Sequence, residues 1–361
     1  NWLNGWTASS HSTATNTVPT TGNFGPYGNV SANACGNCHR DHGPVAGAAP
    51  GLLRAAEESA CSPCHSGANV SPALLNVLGE FSKAYRHPTI TVSGQHDPAE
   101  RVATLNTARS AECTDCHNPH RASATGGSTT PPGAGSALLG VSGYNGGAPL
   151  RPATNEYEVC FKCHADSTNK LQNQAYNAYG RTAYRLTYPQ AADPYNTRLR
   201  MASNVARHNV TNPRWRTSTE APSVRTNMLN LNGTSGRAMG SYLYCTDCHS
   251  NDQNRKFSGT GPNGPHGSNY PHLLERRYEA EPPPASPGGF SSGVTYQGGL
   301  TGTYALCDKC HDITNNILQD KSFKDHNKHI SGERTSCSTC HDAHGITGET
   351  TTNNFSMVNF D

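Results

Sequence analysis

The sequence predicts a fold of mostly coil and turns, with a few short α-helices and little β-structure, ordered by something other than a core of apolar side chains. Charged residues make up only 15% of the 361 residues, against about 25% in ordinary globular domains. Glycine and proline are abundant, at 36 and 24 residues, and such a chain buries little apolar surface to offset its backbone entropy. The 14 cysteines and 18 histidines argue against disorder, because both residue types bind metals and prosthetic groups.

The same composition disfavours several function classes. The formal net charge is only +2, and lysine and arginine form no cluster, so nucleic acid is not an expected partner. No run of about 20 apolar residues is present, so we expect no membrane span. The chain begins Asn1-Trp2-Leu3, without methionine or a charged-then-apolar leader. We therefore expect an exported protein whose signal sequence has been removed.

All 14 cysteines fall into seven Cys-x-x-Cys pairs, and a histidine directly follows each pair. A disulfide framework does not require that histidine, zinc ribbons use such pairs two at a time, and redox thiol motifs usually occur singly. Cys-x-x-Cys-His is instead the attachment signal for c-type haem, in which two thiols bind the haem vinyl groups and the histidine ligates iron. The expected thioether cysteines are Cys35, Cys38, Cys61, Cys64, Cys113, Cys116, Cys160, Cys163, Cys245, Cys248, Cys307, Cys310, Cys337 and Cys340. The expected proximal iron ligands are His39, His65, His117, His164, His249, His311 and His341.

Seven covalently bound haems change what the composition means. They amount to about one haem per 52 residues, so the haems would form the core and the chain would wrap around a continuous haem chain. Glycine and proline supply the tight turns that loops beside a flat plate need. The predicted fold class is therefore a multihaem cytochrome c.

The distal iron ligands are expected to be histidines too. Eleven histidines remain after the proximal seven, whereas the four methionines show no repeated position near a motif. We expect bis-histidine iron throughout, with low reduction potentials and no open iron position for a substrate. The distal candidates are His42, His87, His120, His208, His266, His326, His329 and His344. His11, His96 and His272 have weaker sequence contexts and are the less favoured candidates.

Three of the distal candidates lie three residues after a proximal histidine: His42, His120 and His344. A histidine at this spacing does not fold back easily onto the same iron, but it can reach the iron of a neighbouring haem. Each would lock two haems into a close pair. Before another candidate, His87, the apolar spacing in 72–81 after Ser71 predicts a helix.

The motif positions suggest three haem clusters with loose boundaries rather than independent domains. The motifs begin at irregular intervals of 26 to 85 residues, so equal solenoid repeats are not expected. The predicted segments are an N-terminal arm (1–34), a three-motif cluster (35–125), a Gly/Pro-rich linker (126–150), a two-motif cluster (151–280), a Pro/Gly-rich linker (281–303) and a two-motif cluster (304–361).

The motifs resemble those of known multihaem cytochromes. Cys113-Thr-Asp-Cys116-His117-Asn-Pro-His120 and Cys337-Ser-Thr-Cys340-His341-Asp-Ala-His344 look like doubled-CxxCH cytochromes. The stretch Phe323-x-x-His326-x-x-His329 before Cys337 is similar to the opening of small class III cytochromes c, in which the two histidines ligate different haems.

The whole chain also resembles the extracellular cytochrome filaments, or nanowires, of metal-reducing microbes. That resemblance implies a homopolymer whose subunits stack head to tail, with haems in one continuous chain. It also implies that a histidine near the N-terminus ligates a haem of the next subunit, for which His42 is the first candidate and His11 the second. Other cytochromes and extracellular acceptors such as metal oxides are the implied redox partners.

The predicted function is electron transfer rather than catalysis. Closely packed bis-histidine haems provide short tunnelling steps, and the protein sets their spacing, ligation and exposure. We expect an extracellular or cell-surface location, with the periplasm as the alternative. A soluble periplasmic or outer-surface shuttle is the first rival interpretation. A multihaem reductase is the second, and it would require one haem with an open distal face and acid–base groups nearby.

Overall fold

The computed structural model describes residues 2–20, 26–40, 52–89, 111–167, 196–202, 207–212, 218–229, 236–278, 302–333, 335–345 and 357. Within these ranges the chain is mostly coil and turn, with short helices and very little sheet, so the predicted fold class is confirmed in that respect. The α-helices span Trp2–Thr7, Ser10–Thr13, Val30–Asn33, Glu57–His65, Cys113–Cys116, Glu156–His164, Thr197–Ala202, Ala305–Asp308 and Cys337–Cys340. The 3-10 helices span Ala34–Asn37, Leu78–Ser82, Ser136–Leu138, Cys245–Asp247, Arg255–Phe257, Pro271–Leu273 and Ile317–Gln319, and a π-helical turn spans Lys328–Gly332.

The longest helices in the described residues, Glu57–His65 and Glu156–His164, are nine residues long, and both end on a proximal histidine. The second begins with a capping box, in which the Asn155 side chain accepts a hydrogen bond from the Glu158 backbone N–H and the Glu158 carboxylate accepts one from the Asn155 backbone N–H. Acidic residues in the first turn of both helices complement the positive end of the helix dipole. These helices therefore position motifs, and neither is long enough to build an apolar layer.

Two antiparallel ribbons make up the named strands of the described residues. Tyr85–Arg86 pairs with Gly267–Ser268, and Asn227–Met228 pairs with Arg237–Ala238. At Gly267 the backbones approach so closely that an added Cβ would lie 1.9 Å from the Glu80 carbonyl oxygen. Glycine is therefore required there, next to the candidate ligand His266.

The helix predicted over 72–81 is wrong. Residues 72–77 are not helical, and only the 3-10 helix Leu78–Ser82 forms. The backbone N–H of Val77 donates to the His65 carbonyl, and the Asn76 side chain accepts from the Gly79 N–H. These bonds use groups that a continuous helix would need, and Leu74 of the expected apolar face is exposed.

Apolar side chains form only small clusters in the described residues. One contains Val18, Val30 and Val70, another Val141, Ala153 and Val159, and a third Tyr304, Ile313 and Ile330. Cysteines of the motifs pack against each cluster: Cys64, Cys116, and Cys307 with Cys337. The clusters are thus satellites of the motif regions, as a prosthetic core requires.

The chain divides into two compact units. Unit 1 comprises residues 1–169 and 253–269, and unit 2 comprises 170–252 and 270–361. Unit 1 carries the first four motifs and unit 2 the last three. The predicted division into three haem clusters stays a prediction, and most of its 281–303 linker lies outside the described residues. None of the helices in the described part of the chain has the length and apolar character that a membrane crossing requires.

Candidate haem sites

The Cys-x-x-Cys-His motifs share one local structure. In five of them the backbone N–H of the histidine donates to the carbonyl of the first cysteine at 2.8–2.9 Å, and in the other two the histidine ends a nine-residue helix. This single turn brings two thiols and one imidazole of each motif close together. None of the 14 cysteines forms a disulfide, so all of them are available for thioether bonds to haem vinyl groups.

Every proximal histidine lies opposite one other histidine. The ring-centre distances are 6.0 Å for His39–His120, 6.0 Å for His65–His11, 6.1 Å for His117–His266, 6.2 Å for His164–His87, 5.9 Å for His249–His344, 6.4 Å for His311–His208 and 6.4 Å for His341–His326. No histidine occurs in two of these pairs, and every pair lies within a single unit.

This spacing fits a haem iron between the rings. Two metal–nitrogen bonds of about 2.0–2.1 Å, together with the distance from each Nε2 to its ring centre, separate two axial imidazole centres by roughly 6.3 Å. Direct stacking of two imidazoles would bring the rings closer than this. The seven pairs therefore have the separation that bis-histidine ligation requires.

Backbone carbonyls fix the tautomer of several of these rings. The Nδ1 atoms of His11, His87 and His208 lie 2.9, 2.6 and 2.7 Å from the carbonyl oxygens of Pro119, Pro265 and Ala343. A carbonyl oxygen only accepts, so Nδ1 carries the proton and Nε2 presents a lone pair. His117 and His249 donate in the same way to the carbonyls of Ala137 and His272, at 3.0 and 2.9 Å.

Burial favours the neutral form, which is the form that binds iron, in several of the paired imidazoles. Burial lowers the pKa of His65 to about 4 and the pKa values of His266 and His311 to about 3, with neighbouring histidines adding to the effect. The pKa of His344 falls well below its usual value, again through burial first and then through Arg200. A buried imidazolium is disfavoured at every one of these positions near neutral pH.

Consecutive motifs lie side by side within each unit. In unit 1 the Cys113 thiol hydrogen-bonds to the Cys61 thiol, and this contact is the main cause that raises the pKa of Cys113. Burial raises the pKa of Cys38, and the nearby Cys64 raises it further. Burial also raises the pKa of Cys116, to which the nearby Cys160 adds. In unit 2 burial raises the pKa of Cys310 and of Cys307, with contributions from Cys248 and Cys337 respectively. The motifs are therefore neighbours in sequence order, first to fourth in unit 1 and fifth to seventh in unit 2.

Two lysines, the half-buried Lys162 and the buried Lys309, join motifs that are adjacent in this order. Lys162, before the second cysteine of the fourth motif, donates to the Asp115 carbonyl in the third motif. Lys309, at the same position in the sixth motif, donates to the Asp247 carbonyl in the fifth and to the Glu275 carboxylate at 2.9 Å. The same pair of motif positions is thus linked in the same way in both units.

Six of the eight predicted distal ligands occupy the positions opposite proximal histidines: His87, His120, His208, His266, His326 and His344. The exposed ring of His329 stacks on Phe323 instead, with 6.4 Å between ring centres, and its Nδ1 bonds to the Asp325 carbonyl. His42 and the less favoured His96 lie outside the described residues.

Two histidines that the sequence analysis favoured less have defined places in the structure. The ring of His11 faces that of His65 across 6.0 Å. The short helix that carries it, Ser10–Thr13, is capped by Ser9, whose hydroxyl accepts from the Ser12 N–H. That N-cap was the available signal for an ordered segment around His11. His272 contributes its carbonyl to His249, from a left-handed backbone conformation with φ of 59°.

Comparison with known proteins gives one finding. Residues 28–70 match the family model described as the doubled CXXCH motif, and this segment contains the first two motifs, Cys35 to His39 and Cys61 to His65. No curated protein and no solved structure matches the chain. The family match, together with the five further motifs, supports a multihaem c-type cytochrome.

Proposed function

We propose that this chain is a seven-haem c-type cytochrome that carries electrons between bis-histidine haems. The observation that carries the proposal is that all seven proximal histidines face a second histidine at ring-centre distances of 5.9–6.4 Å. Haem iron supplies the one-electron chemistry when bound. The residues of the chain hold several of these rings by hydrogen bonds from Nδ1 to backbone carbonyls.

The axial pairing argues for electron transfer over substrate reduction. A reductase haem needs a vacant distal face and an acid–base group beside it, whereas every motif here has a histidine in the distal position. Two axial imidazoles without methionine favour low potentials. The side-by-side order of the motifs in each unit supports transfer in several short steps.

We further propose that the electron path continues beyond one chain, in an extracellular or cell-surface filament of head-to-tail subunits. The support for this step is the resemblance to cytochrome filaments. His42 is the candidate for donation to a neighbouring subunit, because His120 and His344, at the same spacing from their motifs, both face the proximal histidine of another motif. Since all seven proximal histidines already face a histidine of their own chain, His42 would have to displace one of those distal histidines at the subunit junction. His11 faces His65 of its own chain, which makes it the weaker candidate. Metal oxides or other cytochromes would accept the electrons, and a periplasmic shuttle is the alternative.

Intact mass spectrometry of the purified holoprotein tests the haem count. Seven covalent haems are expected, and a mass corresponding to fewer would overturn the central proposal. Carbon monoxide tests the ligation independently. The native reduced protein should not bind it, whereas binding near one site per chain would favour a reductase.

Negative-stain electron microscopy distinguishes the filament from the shuttle. Long uniform fibres support the head-to-tail polymer, and monodisperse particles under all conditions support the shuttle. A His42→Ala variant sharpens the test. It should retain seven haems but lose the fibres, whereas His329→Ala, the matched control at an exposed ring, should retain both.

A further inference from the structure

One hydrogen bond recurs three times and joins the axial ligands of neighbouring haem sites. His11, His87 and His208 donate from Nδ1 to the carbonyls of Pro119, Pro265 and Ala343. In each case the next residue is itself a distal histidine: His120, His266 and His344. A single peptide group therefore separates the anchor of one distal ligand from the neighbouring distal ligand.

The angle between the two axial rings alternates in step with this bond. At the first, third and fifth motifs the ring planes are nearly parallel, at 14°, 18° and 15°. At the second, fourth and sixth motifs, where the distal ligand is tethered, the planes are crossed, at 85°, 62° and 68°. Three independent repeats of one alternation point to a common cause.

The order of these parts along the chain is also the same three times. In each copy the tethered histidine precedes the two motifs of its own pair. The untethered distal histidine of that pair lies further along the chain, after the first motif of the following pair. His120 follows the third motif, His266 the fifth and His344 the seventh. The family match to residues 28–70 spans the first such pair of motifs.

The proximal side repeats as well. His117 and His249 donate from Nδ1 to a carbonyl that directly precedes a Leu-Leu pair, Leu138-Leu139 and Leu273-Leu274. At the first motif, the backbone of His39 forms an isolated antiparallel β-bridge with Leu53, which belongs to another Leu-Leu pair. His249 forms the same kind of β-bridge with Leu274. The first leucine of these two pairs, Leu52 or Leu273, has a left-handed φ of about 60°.

We infer that the chain is built from three copies of a two-haem module, in which the Nδ1–H tether holds the distal ligand of the second haem in the crossed orientation. The inference rests on the proposed haem ligation and adds a role for His11, His87 and His208 as positioning ligands. The modules comprise the first and second, third and fourth, and fifth and sixth motifs.

The tether has a definite effect on a ligand. A histidine that donates its second ring nitrogen to a carbonyl is fixed in tautomer and rotation and becomes a stronger donor to the metal. Crossed imidazole planes bring the two π-type d orbitals of ferric iron close in energy, whereas parallel planes split them. Ferric haems with crossed imidazole planes give a single low-field resonance at large g in electron paramagnetic resonance. Ferric haems with parallel planes give a rhombic spectrum.

The seventh motif is the unpaired first half of a fourth module. Its distal ligand, His326, precedes the motif as the tethered histidines do, but its Nδ1 hydrogen-bonds to the Ser322 hydroxyl at 3.2 Å. The ring planes of His326 and His341 meet at 41°, between the two classes. This haem should therefore have a spectrum of its own.

Electron paramagnetic resonance of the fully oxidised holoprotein tests the inference. We expect large-g and rhombic signals of equal weight, three haems each, with the seventh between them. His87→Met should remove one of the three large-g haems, and the matched variant His266→Met, in the same module, should remove one of the three rhombic haems. The new His–Met haem is recognised by its far-red absorption band.

The same comparison in the third module, with His208→Met and His344→Met, guards against a variant that fails to assemble. A wild-type spectrum with all seven haems in one class would overturn the inference, as would loss of the same class in both variants of a module. The haem count by mass is measured on the same samples. Seven haems with a single spectral class would reject the module and leave the proposed function intact, whereas a lower count would reject both.

Discussion

The six sites of the modules and the seventh site differ in where their ligands are anchored. The tethered histidines His11, His87 and His208 bond to carbonyls 108, 178 and 135 residues away. His326 bonds to Ser322, four residues away, and lies shortly before its own motif. The module sites therefore form only when distant segments meet, whereas one short stretch of chain completes the seventh site.

The surroundings of the distal rings differ as well. His266 and His326 are both half-buried, and burial lowers the pKa of both, that of His266 to about 3. The ring of His266 contacts the buried Phe81, whereas the ring of His326 contacts Phe323, which is 49% exposed. The distal ligand of the seventh site therefore has the more exposed aromatic neighbour.

The largest effect on the free energy of unfolding is expected from a substitution that removes the link between the fifth and sixth motifs. Lys309 is 1% exposed and pairs with Glu275, which is 3% exposed. Lys309→Met should lower the free energy of unfolding by about 3 kcal/mol, because it removes one partner of a buried ion pair, although Arg276 remains beside the carboxylate. Chemical denaturation of the holoprotein measures the loss.

Lys162→Met is the matched control for Lys309→Met. Lys162 contacts the Asp115 carbonyl and the Ser142 hydroxyl, so its replacement should cost only about 1–2 kcal/mol. Equal losses in the two variants would show that Glu275 adds nothing to the link.

Removal of a distal ligand tests the difference in anchoring directly. His266→Ala should destabilise the holoprotein by roughly 2–4 kcal/mol, because it leaves a cavity beside the buried Phe81 ring. His326→Ala should cost less, since its ring packs against the exposed Phe323. Each variant should open one iron to carbon monoxide. Thermal unfolding and carbon monoxide titration provide the two measurements. If His326→Ala cost as much as His266→Ala, the seventh site would not be the more local one.

A smaller effect is expected from the side-chain anchors. Ser322→Ala removes the hydroxyl that holds His326 and should cost about 0.5–1.5 kcal/mol, while broadening the resonance of the seventh haem. Ser223→Ala removes the hydroxyl 3.1 Å from Nδ1 of His311, but backbone bonds from Arg225 and Asp312 still hold that motif. In Ser223→Ala the resonance of the sixth haem should therefore stay sharp. Broadening in both variants would contradict the expected difference between the two anchoring hydroxyls.

The smallest expected effect is a pH dependence in unit 1. Burial, followed by the hydrogen bond to Glu58, raises the pKa of Glu112 to about 9 from the usual 4.5. The folded state therefore holds a proton that the unfolded chain releases, and stability present below about pH 4.5 is lost as the pH rises toward 9. Thermal melts of the holoprotein across this range should show the slope, and Glu112→Gln should flatten it. An unchanged slope would assign the effect to other groups.

The sequence by itself determined the chemistry. The Cys-x-x-Cys-His motifs indicate covalent haem c, predict the proximal ligands and favour a coil-rich fold, because each motif is a single turn whose geometry depends on residues only a few positions apart. The excess of histidine over methionine likewise indicated the type of distal ligand. Prediction failed at 72–81, where hydrogen bonds from Val77 to His65 and within the Asn76 turn replace the local helix.

Only the tertiary structure decided which rings meet. His87 and His164 are far apart in sequence, as are His249 and His344, and no local pattern encodes such pairs. His11 illustrates the point, because its weak sequence context contains no sign of His65, which it faces. The carbonyl tethers and the alternation of ring angles also depend on the path of the chain between the motifs. That path is set by long-range hydrogen bonds, among them those of the two linking lysines, whose partners lie tens to hundreds of residues away.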